Sequence, residues 1–204
     1  MPVINYKTSE IDYQKLTIGE PIKNKETGNN ECLVSYEGDT LFFSSPRIQK
    51  LENNLVFNIV HKKKFLDFLE HLEEQIVSWL FENSTKLFKG KKFSLERVKN
   101  GLQPSINISE NGNVTLYTDI SPNVSCFDMF GSLTELNEIS QNVTAVILVE
   151  KIVFNKDLYS LKYTITHLKS TKPEKNSNFS FETPKKVEEV EIIEEQPGDG
   201  NFFD

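Results

Sequence analysis

The sequence predicts a mainly β domain with one inserted helix and an acidic tail. Runs of β-branched and aromatic residues alternate with Gly, Asn and Pro, which is the pattern of short strands and turns. One stretch, 62–83, has helical periodicity, and the last 18 residues hold seven acids and no Lys or Arg. These observations divide the 204 residues into a β-rich domain over 1–170, a flexible linker over 171–186 and a disordered acidic tail over 187–204.

The first third of the chain predicts short strands. LTIGEPI (16–22) is a strand, and ECLVSYEGDTLFFSSP (31–46) is a hairpin that turns at Gly38-Asp39. NNLVFNIV (53–60) is a further strand.

A helix is predicted where apolar residues recur at helical spacing along one face. They are Phe65, Phe68, Leu69, Leu72, Ile76, Trp79 and Leu80. Glu70, Glu73 and Glu74 are expected on the opposite, solvated face. A second turn of helix is expected in SLERVKNG (94–101), where Ser94 is the N-cap and Arg97 is the third residue.

Strands return in the second half of the chain. PSINISENGNVTLYTDI (104–120) predicts a hairpin with Asn111-Gly112 at its turn. DMFGSLTELNEIS (128–140) is expected to form a loop or a short helix. TAVILVEKIVFNKDLYSLKYTITHL (144–168) predicts the longest strand pair, turning at 155–157.

Short antiparallel strands with a single inserted helix fit a five-stranded OB-type barrel. A small sandwich fits the same periodicity. We therefore expect an OB-fold-like antiparallel barrel of five strands, with one helix inserted between two of them.

Composition and motifs exclude several classes of protein. Cys32 and Cys126 are too few for a disulfide framework or a zinc site. No apolar leader and no run of about 18 apolar residues occurs, so we expect an intracellular protein without membrane association. Phosphate-binding loops, zinc-protease motifs and nucleophile elbows are missing from the sequence, which predicts a non-enzymatic protein with no cofactor and no metal.

Cations alternate with aromatic residues in two segments, 42–50 and 86–99. Proteins that bind single strands without sequence preference combine cations, which contact phosphates, with aromatic faces that stack on bases at roughly 1–3 kcal/mol each. The predicted contacts are Phe42, Phe43, Arg47, Lys50, Lys86, Phe88, Lys89, Lys91, Lys92, Phe93, Arg97 and Lys99. Strand alternation places Phe42 and Phe43 on opposite faces. The alternative is that the phenylalanines belong to the core and the lysines are solvated.

The acidic tail ends in two aromatic residues, Phe202 and Phe203. Its seven carboxylates account for the whole net charge of −7, so the remainder of the chain is neutral. An acidic segment with an aromatic tip resembles nucleic acid in charge and in stacking, so it can compete for a basic groove or dock on a partner. The predicted partner-binding residues are Glu194, Glu195, Asp199, Phe202, Phe203 and Asp204.

The tail ending in NFFD resembles the tails of replicative single-stranded DNA-binding proteins of bacteria and phages. The body resembles the phage-type OB-fold members of that family, which also occur in large nucleocytoplasmic DNA viruses. The resemblance is carried by LFFSSPRI, SWLFENSTKLFKGKKFSLERV, PSINI and the strand pair 144–168, in that order along residues 30–204. It implies a protein that coats single strands in replication, recombination and repair, a tail that recruits a polymerase or helicase, and frequently a homodimer.

Two other functions remain open from the sequence. One is a viral structural or protein-interaction module that docks through the acidic tail, with the lysines as ordinary surface. The other is a transcription or RNA-binding factor on the same barrel, which only competition between DNA and RNA would distinguish, because the 2′-hydroxyl separates the two ligands.

Overall fold

The computed structural model describes residues 3–5, 12–51, 54–58, 63–88, 90–110, 113–156 and 158–172. The acidic tail, the linker from residue 173, the Asn111-Gly112 turn and Lys89 lie outside the described residues.

The described part of the chain contains strands throughout and three α-helices, so the predicted mainly β class is confirmed. The helices are α1 (Lys63–Glu82), α2 (Ser84–Leu87) and α3 (Leu95–Gly101). The strands are β1 (Val3–Asn5), β2 (Leu16–Ile18), β3 (Ile22–Lys23), β4 (Asn30–Tyr36), β5 (Asp39–Ser44), β6 (Ile48–Leu51), β7 (Asn54–Asn58), β8 (Leu102–Gln103), β9 (Ile106–Ile108), β10 (Asn113–Tyr117), β11 (Asp119–Phe127), β12 (Leu133–Thr134), β13 (Asn142–Asn155) and β14 (Leu158–Ser170). Across these described ranges, no helix has the length and apolar character of a membrane span.

The long hairpin of β13 and β14 is the centre of the sheet. Its strands pair antiparallel from Val143–Ser170 to Asn155–Leu158. The other edge of β13 pairs in succession with β6, β5 and β4, and the other edge of β14 pairs with β11 and β8. Every other part of the sheet is attached through these two strands.

The five-stranded antiparallel barrel with one helix is not the observed architecture. The described strands form one open, mixed sheet of 14 strands, in which β1–β5, β11–β14 and β8–β14 are parallel pairs. The higher count arises because continuous segments bend and change partners. The segment 113–127 bends at Thr118, so that β10 pairs with β7 while β11 pairs with β14.

The three predicted hairpins are present as paired strands. The first turns at Glu37-Gly38, one residue earlier than predicted, and both residues have positive φ angles of 53° and 82°. A two-residue turn of this kind requires positive φ at both central positions, which Gly38 adopts without strain. Lys156 takes the same conformation, with a φ of 56°, at the tip of the β13–β14 hairpin.

Strand β11 was not predicted, because Pro122 and its polar neighbours disfavour a strand. Its pairing with β14 shifts register between Ile120 and Ser125. The proline therefore lies in the irregular part of the strand, where no regular backbone donor is needed.

Helix α1 covers the inner face of the sheet, as its periodicity predicted. Phe65 and Phe68 lie with their ring centroids 5.9 and 5.1 Å from that of Phe43. Tyr163 of β14 contacts the same ring edge-on at 6.0 Å. Phe43 is 0% exposed. The prediction that Phe43 contacts nucleic acid is therefore wrong, because its ring lies in the core and joins the helix to the sheet.

Glu73 also departs from the expectation of a solvated helix face. It is 8% exposed and accepts a hydrogen bond from the backbone N–H of Ser105 at 3.0 Å. Burial raises the pKa of Glu73, and the hydrogen bonds from Ser105 oppose this. The position lies four residues after Leu69 and three before Ile76, which places it within the apolar stripe.

We expect Phe43→Ala to lower the free energy of unfolding by about 3–5 kcal/mol, because it removes the ring on which α1 packs. Phe42→Ala should cost less than half of this, since Phe42 is only half-buried. Urea unfolding of both variants tests the assignment. Equal costs would show that Phe43 is not the core residue of the pair.

Glu73 should make the stability depend on pH. Its folded pKa lies above the ordinary value of 4.5, so its stabilising contribution is complete below that value and is lost as pH rises through the folded pKa. We expect Glu73→Gln, which still accepts from Ser105, to be more stable than wild type at about pH 8 and nearly equal at about pH 4. Urea titrations at several pH values measure this. The exposed neighbour variant Glu74→Gln is the control, and a pH-independent difference for Glu73→Gln would contradict the prediction.

Candidate nucleic-acid interface

Three predicted contacts, Phe88, Phe93 and Arg97, come together beside the tip of the β13–β14 hairpin. The ring centroids of Phe88 and Phe93 are 4.6 Å apart, and the rings are tilted by 31°. The Arg97 guanidinium carbon lies 4.2 Å from the Phe93 centroid, a cation–π distance. Phe88, Phe93 and Arg97 therefore form a spatial group, here called the tip cluster.

The sheet contributes residues to the tip cluster that the sequence did not reveal. Phe154, near the end of β13, meets Phe88 edge-on at 5.9 Å and lies 6.0 Å from the Tyr159 ring. Lys156 lines the same small pocket from the hairpin turn. The sequence signal for these residues was the aromatic pair Phe154 and Tyr159, which flanks the predicted turn. Periodicity does not show which helix packs against that pair.

Local hydrogen bonds hold the loop between α2 and α3 in this position. The buried Ser84 hydroxyl accepts the N–H of Phe93 at 3.3 Å. Gly90, with a φ of 83°, donates to the Thr85 carbonyl. Ser94 caps α3 by accepting the N–H of Arg97 at 3.2 Å, which confirms the predicted cap. The side chain of Tyr159 joins the helix to the sheet by donating to the Val98 carbonyl at 3.0 Å.

Exposed cations surround the tip cluster. Lys91 and Lys92 precede Phe93 in the loop, and both are exposed, as are Arg97 and Lys156. Glu96 is an exposed acid of the same region. Among the residues that the structure describes here, these four cations outnumber this acid and produce a local positive surface, whereas residues 1–186 taken together have no net charge.

The cluster presents its cations rather than open rings. Phe93 already has Phe88 and the Arg97 guanidinium within 4.6 Å of its centroid. The pocket beneath is small, with a volume of about 60 Å³. The Arg97 guanidinium lies over the Phe93 ring and covers it.

Two other predicted cations lie apart from this group. Lys86 forms an ion pair with Glu20 at 2.7 Å, with both side chains exposed, and the Lys86 ammonium lowers the pKa of Glu20. Lys99 lines a groove with Glu70, Glu73 and Glu74 between α1 and α3. These two lysines therefore have carboxylates beside them, and their contact with nucleic acid stays a prediction from the sequence.

The segment 42–50 does not join the tip cluster. Phe42 pairs with Leu148, six residues along β13 from Phe154, or about 20 Å at the usual rise per residue. Phe42 also points to the outer face of the sheet, because its neighbour Phe43 points inward. Arg47 is exposed, and Lys50 donates its backbone N–H to the Gln141 carbonyl near the start of β13.

No protein-family model and no curated protein sequence matches this chain. Three solved structures of the single-stranded DNA-binding protein of bacteriophage Enc34 are similar to it, each with a TM-score of 0.38. The complex with single-stranded DNA is 13% identical and covers 78% of this chain and 82% of that chain. The unbound protein is 14% identical, covering 81% and 96%, and a C-terminal truncation is 15% identical, covering 78% and 96%. We base the functional proposal on the residues of this chain.

Proposed function

We propose that this protein is a non-enzymatic single-stranded DNA-binding protein. The observation that carries the proposal is the tip cluster, in which Lys91, Lys92, Arg97 and Lys156 surround a packed group of aromatic rings. Cations in such an arrangement bind the phosphates of a flexible strand without reading its sequence. The resemblance stated from the sequence leads to the same function and extends it to coating of single strands in replication, recombination and repair.

The acidic segment 187–204 has two roles in this proposal. Its carboxylates compete with DNA for the cations of the tip cluster, at an effective concentration of roughly millimolar for a tethered segment. When DNA displaces it, Phe202 and Phe203 dock in an apolar pocket of a replication protein, such as a polymerase or helicase, while the acids meet a basic rim.

We expect the double variant Lys91→Glu/Lys92→Glu to bind labelled oligo-dT at least about tenfold more weakly at low salt. It should also reduce the slope of log affinity against log salt by roughly 1.4, since each lost single-strand phosphate contact accounts for about 0.7. Fluorescence anisotropy over a salt series measures both quantities.

The matched control is Lys63→Glu/Lys64→Glu at the start of α1. It changes the net charge equally, replaces two exposed lysines and puts acids where the helix dipole favours them. These lysines lie about 25 Å along α1 from Leu80, which lines the tip-cluster pocket. Equal losses for the two variants would mean that net charge, and not the tip cluster, governs binding.

Truncation after Pro184 should tighten DNA binding, because it removes seven carboxylates that compete for the cations. The gain should shrink as salt rises and screens the charges. Anisotropy with the full chain, the truncated chain and the full-length Phe202→Ala/Phe203→Ala variant separates charge from aromatic contact. If truncation leaves the affinity for DNA unchanged, the tail does not compete with DNA, and only its partner-docking role remains in the proposal.

A further inference from the structure

The turn that follows β11 holds an aromatic ring in water. Phe130 is 86% exposed, yet its backbone is tightly fixed. The Asp128 carboxylate oxygen Oδ1 accepts the N–H groups of Phe130 and Ser132, both at 2.8 Å. The backbone N–H of Asp128 donates to the Ser132 carbonyl, and Gly131 closes the turn with a φ of 93°. The turn is therefore ordered, and it presents a large apolar ring to solvent.

A second aromatic element lies beside this turn. Phe127 and His167 are stacked, with centroids 6.4 Å apart and planes only 6° from parallel. His167 is exposed, and its Nδ1 lies 3.0 Å from the Thr166 hydroxyl, which orients the imidazole. Lys169 pairs in register with Phe127, and its ammonium nitrogen lies 3.9 Å from the point that a Cβ on Gly131 would occupy. We call Phe127, Phe130, His167 and Lys169 the outer-face group.

The pairing pattern places this group on the side of the sheet opposite α1. Cys126 and Leu168 are paired and buried, so their neighbours Phe127, His167 and Lys169 point outward. Phe42 pairs with Leu148, and Leu148 pairs with Thr164. The adjacent row of paired residues is buried, so Phe42 points to this same outer face. Phe42 therefore lies on the same face of the sheet as the outer-face group, and not with the tip cluster.

Lys169 supplies the positive charge of the outer-face group. It is exposed on β14, beside Phe127 and Gly131.

Several acids of this region are already engaged within the protein. Asp128 accepts the backbone donors of its turn, and Glu138 accepts from the Thr134 hydroxyl and the Glu135 N–H. Glu150 accepts from the Thr164 hydroxyl and pairs with Lys151 at 3.3 Å. Asp119 is exposed and pairs with Thr164, at the opposite end of the β11–β14 pairing from Lys169.

We propose that the outer-face group is a second contact region for single-stranded DNA. Unpaired bases stack on Phe130 and on the exposed face of His167, and Lys169 contacts the adjoining phosphate. This inference rests on the proposed function and extends it to a second surface. That surface lies about 33 Å along β14 from the tip cluster, because Lys169 is ten residues after Tyr159. A strand that contacts both regions passes around the edge of the sheet from one face to the other.

The test is anisotropy of labelled oligo-dT at low salt with the full-length wild type, Phe130→Ala, Phe130→Trp and Leu133→Ala. Leu133 is the matched control, because it is 76% exposed and apolar but has no ring to stack. We expect Phe130→Ala to bind roughly 5- to 150-fold more weakly and Leu133→Ala to bind as wild type. Phe130→Trp should retain affinity, and its fluorescence should be quenched by DNA beyond the signal of Trp79. Sedimentation of each variant without DNA reports the oligomeric state.

The outcomes separate the two proposals. A wild type that does not bind overturns the proposed function and this inference with it. A wild type and a Phe130→Ala variant that bind equally overturn this inference alone, provided that Lys91→Glu/Lys92→Glu still weakens binding. Equal losses for Phe130→Ala and Leu133→Ala, together with a lower sedimentation coefficient, assign the surface to a second copy of the chain and also overturn it.

Discussion

The antiparallel pairing of β13 with β14 is the constraint on which the rest of the described structure depends. These strands of 14 and 13 residues pair along their length, and each uses its second edge for other strands. Because side chains alternate between faces, this pairing decides which residues meet α1 and which meet solvent. Two register shifts, after Val146 and after Val149, change that alternation within the hairpin.

The same hairpin separates the two proposed DNA contacts. Its tip carries Phe154 and Tyr159 on the inner face, where α2 and α3 add Phe88, Phe93 and Arg97. Its opposite end carries His167 and Lys169 on the outer face, beside Phe127 and the turn that presents Phe130. The two regions therefore use different chemistry: the tip cluster offers cations supported by packed rings, whereas the outer-face group offers rings open to stacking.

Buried polar contacts position the helices that the tip cluster needs. Glu73 of α1 accepts from Ser105, whose hydroxyl donates to the Leu161 carbonyl at 3.3 Å, so one serine connects the helix to β14. Tyr159 connects the same strand to α3 through Val98. Burial raises the pKa values of Glu73 and Tyr159, because it disfavours their charged forms.

The sequence by itself determined the mainly β class, the helix over 63–82, the Ser94 cap and the concentration of cations around Phe88 and Phe93, because these depend on periodicity and on residues close in the chain. Only the tertiary structure decided the sheet order, the bend at Thr118, the burial of Phe43 and Glu73, and the contact of Phe154 with Phe88. Phe130 looked like an ordinary loop residue, and its exposure followed from the turn that Asp128 holds. Strand alternation showed that Phe42 and Phe43 face opposite ways, but the choice of face depends on partners distant in sequence, and periodicity contains no information about them.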